Sequence, residues 1–267
     1  MKATAELSEG AAAASLAAPA AALSDPFGDV DPGSIETLPA QELIRLALDA
    51  YHPRAAVVTS FQLEGMVILD MAFRVRPDVR VITLDTGRLP AETYEMVETV
   101  RRHYGASVEV FFPDARRVEA MVRRDGPNLF YRGAAERQEC CYVRKVEPLE
   151  RALAGLDAWL TGLRRDQAPA RAATPKAAPD LRFGGGRPVP LWKLAPLADW
   201  SDAQVEAYAA AHDVPLHPLY DQGYTSIGCA PCTRPPAPGE GPRGGRWWWE
   251  NDDKRECGLH VLPGGRR

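Results

Sequence analysis

No stretch of this chain approaches the roughly 20 consecutive apolar residues that a bilayer-crossing helix needs, which argues against a helical membrane anchor. The nearest imitation, Ala11 to Leu23, is mostly alanine and follows Glu6 and Glu9 instead of a basic run, so it does not read as a secretory signal. A large excess of one charge is also missing. The 32 Lys and Arg against 36 Asp and Glu leave a net charge of −4, which gives no general attraction for nucleic acid. Cysteine is scarce: five in 267 residues, an odd number. In the cytoplasm, where the chain is expected to reside, this argues against a disulfide framework and leaves the thiols to be explained by metal binding or catalysis.

What is present patterns as alternating strands and helices. Residues 1–34, rich in Ala, Ser, Gly and Asp, read as a disordered leader. Glu42 to Leu48 repeat at helical spacing until His52-Pro53 stops them. Ala55 to Ser60, Val79 to Leu84 and Val108 to Phe112 read as buried strands, with helices over Leu63 to Phe73 and Pro90 to Tyr104. Trp159 to Gly162 reads as a further strand. Such alternation predicts an α/β fold with a doubly wound parallel sheet, whose ligands bind beyond the carboxyl ends of the strands. Ser60-Phe61-Gln62, Asp85-Thr86-Gly87 and Gly162-Leu163-Arg164-Arg165 all fall at such ends, so one shared crevice is expected. Gln167 to Pro188, rich in Ala, Pro, Gly and Arg, reads as a mobile loop over it. Ser201 and Gln204 form a capping box at a helix start. From Gly223 onward the chain is irregular and is expected to lack a core of its own. The expected division is therefore a leader (1–34), a nucleotide-binding domain (35–240) and a mobile C-terminal segment (241–267).

Cys140 and Cys141 are adjacent, and Cys229 and Cys232 form a Cys-x-x-Cys pair. Four thiols in two close pairs suit an iron–sulfur cluster or, less usually for an adjacent pair, zinc; unrelated buried thiols are the plain alternative. Cys257 stands apart among Lys254, Arg255 and His260, cations that favour a nucleophilic thiolate, although an incidental exposed thiol would look the same.

These residues resemble a known family. Cys140-Cys141 followed by Arg144-Lys145, Ser226 to Thr233, Gly245-Arg246-Trp247 and Glu256-Cys257-Gly258-Leu259-His260 are similar to the assimilatory adenylyl-sulfate (APS) reductases of the phosphoadenylyl-sulfate (PAPS) reductase family. Leu84-Asp85-Thr86-Gly87 and Thr161 to Gln167 extend the match, which runs in order from about Ala40 to His260. The resemblance implies an adenine-nucleotide-binding fold of the ATP-pyrophosphatase type. It implies a [4Fe–4S] cluster on Cys140, Cys141, Cys229 and Cys232 that does not change redox state in turnover. It further implies that the Cys257 thiolate attacks the sulfate sulfur of adenylyl sulfate and expels AMP, and that thioredoxin or a glutaredoxin-like reductant then releases sulfite for cysteine synthesis. No nucleic acid or membrane partner is implied, and a homo-oligomer is compatible with the sequence.

Attack on a negatively charged sulfuryl group needs cations, and Arg holds sulfate or phosphate bidentately. Lys145, Arg243 and Arg246 are the first candidates, with Arg164, Arg165 and Arg171 beside them. Ser60, Leu84, Asp85, Thr86, Gly87 and His260 complete the substrate-facing set. For several of these a structural role competes: Asp85 and Thr86 as caps of the following helix, Arg243 and Arg246 as loop charges, Trp247-Trp248-Trp249 as packing. Ser60-Phe61-Gln62-Leu63-Glu64-Gly65 lacks the glycines and aspartate of an ATP-pyrophosphatase loop, which argues against ATP activation. A PAPS reductase is the nearest rival; the cluster cysteines favour APS. A tRNA-thiolating enzyme with an iron–sulfur site and a zinc-stapled RNA-binding module are the rivals from other classes.

Overall fold

The computed structural model describes residues 27, 28, 30–250 and 259. Asp31 caps helix α1 (Pro32–Thr37), accepting the Ser34 amide, and Pro32 fits the first turn because its missing N–H would have no partner there. Helix α2 (Ala40–Tyr51) turns Leu43, Ile44, Ala47 and Leu48 inward and ends where Pro53 prevents continuation. Strand β1 (Ala55–Val58) leads to helix α3 (Leu63–Val75), which is buried continuously from Gly65 to Phe73. Strand β2 (Arg80–Leu84), helix α4 (Ala91–Tyr104), closed by left-handed Gly105, and strand β3 (Val108–Phe111) repeat the unit.

Helices α5 (Ala115–Asp125), α6 (Ala134–Cys141) and α7 (Glu147–Leu153) follow before strand β4 (Ala158–Leu160). Between α6 and α7 the helix widens for one turn, Tyr142–Val146, where the Glu147 amide reaches the Tyr142 carbonyl five residues back. Strands β5 (Ala177–Pro179) and β6 (Trp192–Leu194) precede helix α8 (Asp202–Ala211), which begins at the Ser201–Gln204 capping box.

The six strands lie in the order β3-β2-β1-β4-β6-β5, all parallel except the edge strand β5. Side chains alternate across the sheet. Val57, Val81 and Leu160 join the core beneath α2, α3 and α8, whereas Ala56, Ile82 and Trp159 pack with Leu149 and Leu153 of α7 on the other face. Both faces are covered, as a doubly wound sheet requires. Chain order reverses between β1 and β4, and the crevice of such folds opens at that point.

Some expected boundaries need correction. The leader expected over 1–34 includes folded residues: Phe27 is 2% exposed and packs on Tyr51 and Trp192, and α1 starts at Pro32. The loop expected over Gln167 to Pro188 contains β5, because the free edge of β6 offers it backbone partners; Lys176, 3% exposed, donates to the Leu38 carbonyl at 2.7 Å. Of the segment 241–267, Trp247 is fully buried and Glu250 nearly so. Cys257 and His260 lie outside the described residues.

Candidate active site

A crevice of about 250 Å³ opens at the carboxyl ends of β1, β2 and β4. Val58, Leu84, Leu149, Trp159 and Leu259 supply an apolar wall, and Ser60, Thr86, Lys145, Arg171, Arg243 and Arg246 supply polar and cationic groups. An apolar slot flanked by cations suits a planar base carrying an anionic tail. Leu259 stands two residues from Cys257 in the chain.

The loop after β1 is shaped without the glycines of a phosphate loop. Phe61 itself takes the left-handed conformation (φ 58°), with its ring fully buried and its amide donating to Thr59 Oγ1 at 2.9 Å. Tyr220 Oη accepts the Leu63 amide at 2.9 Å, so the start of α3 is capped from a distant segment. Gln62 bridges two walls: Nε2 donates to Ser60 Oγ at 2.9 Å and Oε1 accepts the Ile227 amide at 2.7 Å. Sequence reasoning assigned Gln62 nothing; the available signal was an amide side chain between a strand end and a helix.

The cysteines come together beside this crevice. Cys140, Cys141, Cys229 and Cys232 line one cavity of about 20 Å³ with Arg144, Lys145, Arg246 and Trp247. Lys145, Arg246 and Trp247 line both cavities and so form the boundary between them. Among the described residues, no three His, Cys, Asp or Glu side chains converge to hold a single metal ion. Burial would push the Cys229 thiol up, but Lys145, the Thr86 hydroxyl, Arg246 and Arg144 outweigh it and bring it below the usual value. Burial, with the neighbouring Cys229, pushes Cys232 up to about 12. Cys140 is also raised, by burial and despite Arg144.

Gly245 and Gly228 make the basic wall by close approach. A Cβ at Gly245 would lie 1.9 Å from the Arg234 carbonyl oxygen, and one at Gly228 would lie 2.4 Å from Arg246 Nη2. Arg246 then donates to Ser226 Oγ at 3.0 Å and to the Ile227 carbonyl at 3.3 Å.

Other expected site residues are used differently. Asp85 does not line the crevice; its Oδ1 accepts from the Gly87 amide at 2.7 Å and from Tyr94 Oη at 3.0 Å, fixing the turn after β2. Gly87 also lies off the crevice and provides the left-handed residue of that turn (φ 68°). Arg165 points elsewhere, donating to the Thr174 carbonyl and pairing with Glu36. Arg164 lines the crevice, but its guanidinium is taken up by Glu64, Asp166, Asp202 and the Trp200 carbonyl. It is a clamp between α3, the loop after β4 and the start of α8. Arg171 also lines the crevice, and its Nη1 donates to Gln167 Oε1 at 2.5 Å.

Set beside known proteins, residues 54–235 match the phosphoadenosine phosphosulfate reductase domain. The chain belongs to the phosphoadenosine phosphosulfate reductase family. Among members of this reductase family, it is 47% identical over 231 residues to an adenosine 5'-phosphosulfate reductase of Allochromatium vinosum, covering 85% of this chain and 88% of that one. A Burkholderia cepacia protein of the same name is 44% identical over 210 residues, 79% of this chain and 82% of its own. The crystal structure of a phosphoadenylyl-sulfate reductase from Candida auris superposes with a TM-score of 0.62 at 31% identity, over 74% of this chain and 92% of that one. Yeast FAD synthetase, at 14% identity and a TM-score of 0.51 over 76% of this chain and 72% of its own, shares the fold alone. This membership removes the tRNA-thiolation and RNA-binding readings. No helix among the described residues is long and apolar enough to cross a membrane.

Proposed function

We propose that this reductase converts adenylyl sulfate to sulfite and AMP, in the cytoplasm and in the service of cysteine synthesis. The observation that carries the reading is the shared boundary: Lys145 and Arg246 face both the crevice and the four-cysteine cavity. The curated relatives named for adenosine 5'-phosphosulfate support APS over PAPS.

Adenosine fits the apolar wall of Leu84, Leu149 and Trp159, which leaves the phosphosulfate toward Lys145, Arg243 and Arg246. These cations offset the repulsion met by an incoming thiolate and stabilise the charge that develops on the departing AMP. The Cys257 sulfur forms a bond to the sulfate sulfur as the bond to the AMP phosphate oxygen breaks, giving S-sulfocysteine. One thiolate of a thioredoxin-like dithiol then attacks the Cys257 sulfur and sulfite leaves. The second thiol closes the partner's disulfide and frees Cys257, so the two electrons come from the dithiol.

Cys140, Cys141, Cys229 and Cys232 would hold a [4Fe–4S] cluster. Four thiols in two close pairs around one cavity suit such a cluster, and a directly adjacent pair is the less usual arrangement for zinc. Bound there, the cluster would supply fixed charge that tunes the field around Lys145.

The test is anaerobic sulfite release from APS and from PAPS, side by side, with reduced thioredoxin. Preference for APS is expected. Preference for PAPS would overturn the substrate and keep the chemistry.

A further inference from the structure

Arg246 rests against neighbours of which two, Arg137 and Glu250, carry no signal of their own in the sequence. Arg137, on α6 three residues before Cys140, is 2% exposed. Its Nε donates to Glu250 Oε1 at 2.5 Å across 113 residues of chain. The same guanidinium lies 4.4 Å from the centre of the Trp247 ring, and the Arg246 guanidinium lies 4.8 Å from that centre. Trp247 is held in turn: its ring is 1% exposed, its amide donates to the Cys232 carbonyl at 3.2 Å, and its backbone is left-handed (φ 47°).

A left-handed conformation in a bulky residue is costly and persists only where the surroundings dictate it. Here the indole so placed contacts both arginines. The buried Glu250 carboxylate sits on Arg137, the guanidinium farther from the crevice, and Arg246 rests against the Trp247 ring at the crevice wall.

We infer that Arg137, Trp247 and Glu250 are positioning residues that hold the Arg246 guanidinium for the anionic end of the substrate, an inference that rests on the sulfonucleotide reading above. The competing role is a plain staple between α6 and the segment before residue 251, which would affect stability alone.

A double-mutant cycle separates the two. Arg137→Met, Arg246→Lys and the double variant are prepared as full-length protein, and iron content and thermal midpoint are recorded for each. APS affinity is measured as KM in turnover and by calorimetry in a Cys257→Ser background. Each single variant is expected to weaken APS binding about tenfold, the scale of one charge-assisted contact. The double variant should be no worse than the poorer single one, because Arg137 acts through Arg246. Unchanged APS affinity in Arg137→Met at full iron content, or losses that multiply, would overturn the inference. Should Arg137→Met lose iron, Trp247→Phe keeps a buried aromatic and is expected to weaken APS binding about threefold, as a loosened contact does; no change in that variant also overturns it. Weakened APS binding in the variants, beside a wild type that binds APS but releases no sulfite, would sink the reductase reading and leave the positioning device standing.

Discussion

The Thr86 hydroxyl oxygen lies 3.3 Å from Cys229 Sγ and also accepts the Arg88 amide at 3.2 Å. With Cys229 as thiolate the Thr86 hydroxyl is the donor, and this bond is one of the influences that lower the Cys229 thiol below its usual value. The turn after β2 therefore stabilises a thiolate on the Cys-x-x-Cys turn, and one residue belongs both to the crevice and to the cysteine site.

Thr86→Val keeps the shape and removes that donor. Stability should fall by about 1.5–3 kcal/mol, the usual range for one hydrogen bond to a charged group. Iron should pass to a chelator faster than from the wild type. Release at the wild-type rate would show that the hydroxyl does not support the thiolate.

Gly228→Ala tests the close approach beneath Arg246. The added methyl would lie 2.7 Å from Arg246 Cζ, and the arginine tip is the group able to yield. Because Arg246 is buried, stacked and hydrogen-bonded, the thermal midpoint should fall, and KM for APS should rise about tenfold as one charged contact is displaced. A kinetic profile matching the wild type would remove Arg246 from the anion site.

Arg164→Met distinguishes a clamp from a substrate ligand. The arginine side chain is 3% exposed and bonds three carboxylates, two of them on half-exposed or more exposed side chains, Asp166 at 48% and Asp202 at 71%. Allowing for that solvent screening, a loss of about 2 kcal/mol is expected in anaerobic urea unfolding. An unchanged urea midpoint with a raised KM would instead make Arg164 a ligand.

His217 predicts a pH dependence of stability. The ring is 1% exposed; Nδ1 accepts the Leu219 amide at 3.3 Å, so the proton sits on Nε2, which donates to Thr93 Oγ1 at 3.1 Å. Burial holds its pKa below the ordinary 6.5 despite Glu92. The unfolded chain thus binds a proton that the folded one refuses. The contribution is complete above pH 6.5 and is lost as pH falls from there through the folded-state value. Urea midpoints compared between pH 7.5 and pH 5.5 should fall less in His217→Asn than in the wild type. Equal slopes would refute the assignment.

Cys257→Ser should abolish sulfite release while iron content and AMP binding stay at wild-type levels. Continued turnover in this variant would remove Cys257 from the chemistry.

The parts of the fold legible in the sequence were those set by local pattern. The apolar runs of β1, β2 and β4, the His52-Pro53 stop and the Ser201–Gln204 box each carry their own signal. Strand β5 was hidden because Ala177, Ala178 and Pro179 have little strand preference and pair only because β6 presents an open edge. The crevice position followed from the strand ends, but the duty of each arginine did not. Arg165 found Glu36, 129 residues away, and Arg164 found Glu64, 100 residues away. Which of two adjacent arginines faces a ligand is decided by such distant partners, as is the role of Arg137 through Glu250.

The wide turn at Tyr142–Val146 sets the rotation of the cysteine pair relative to helix α7. A single residue inserted into an α-helix can be absorbed by one such turn without disturbing the helix on either side. Each residue of an α-helix turns about 100°, so removing one here would rotate Cys140 and Cys141 by about that much relative to the face of α7 that buries Leu149 and Leu153. The irregular turn thus sets the angle at which the cysteine pair meets the sheet-bound helix.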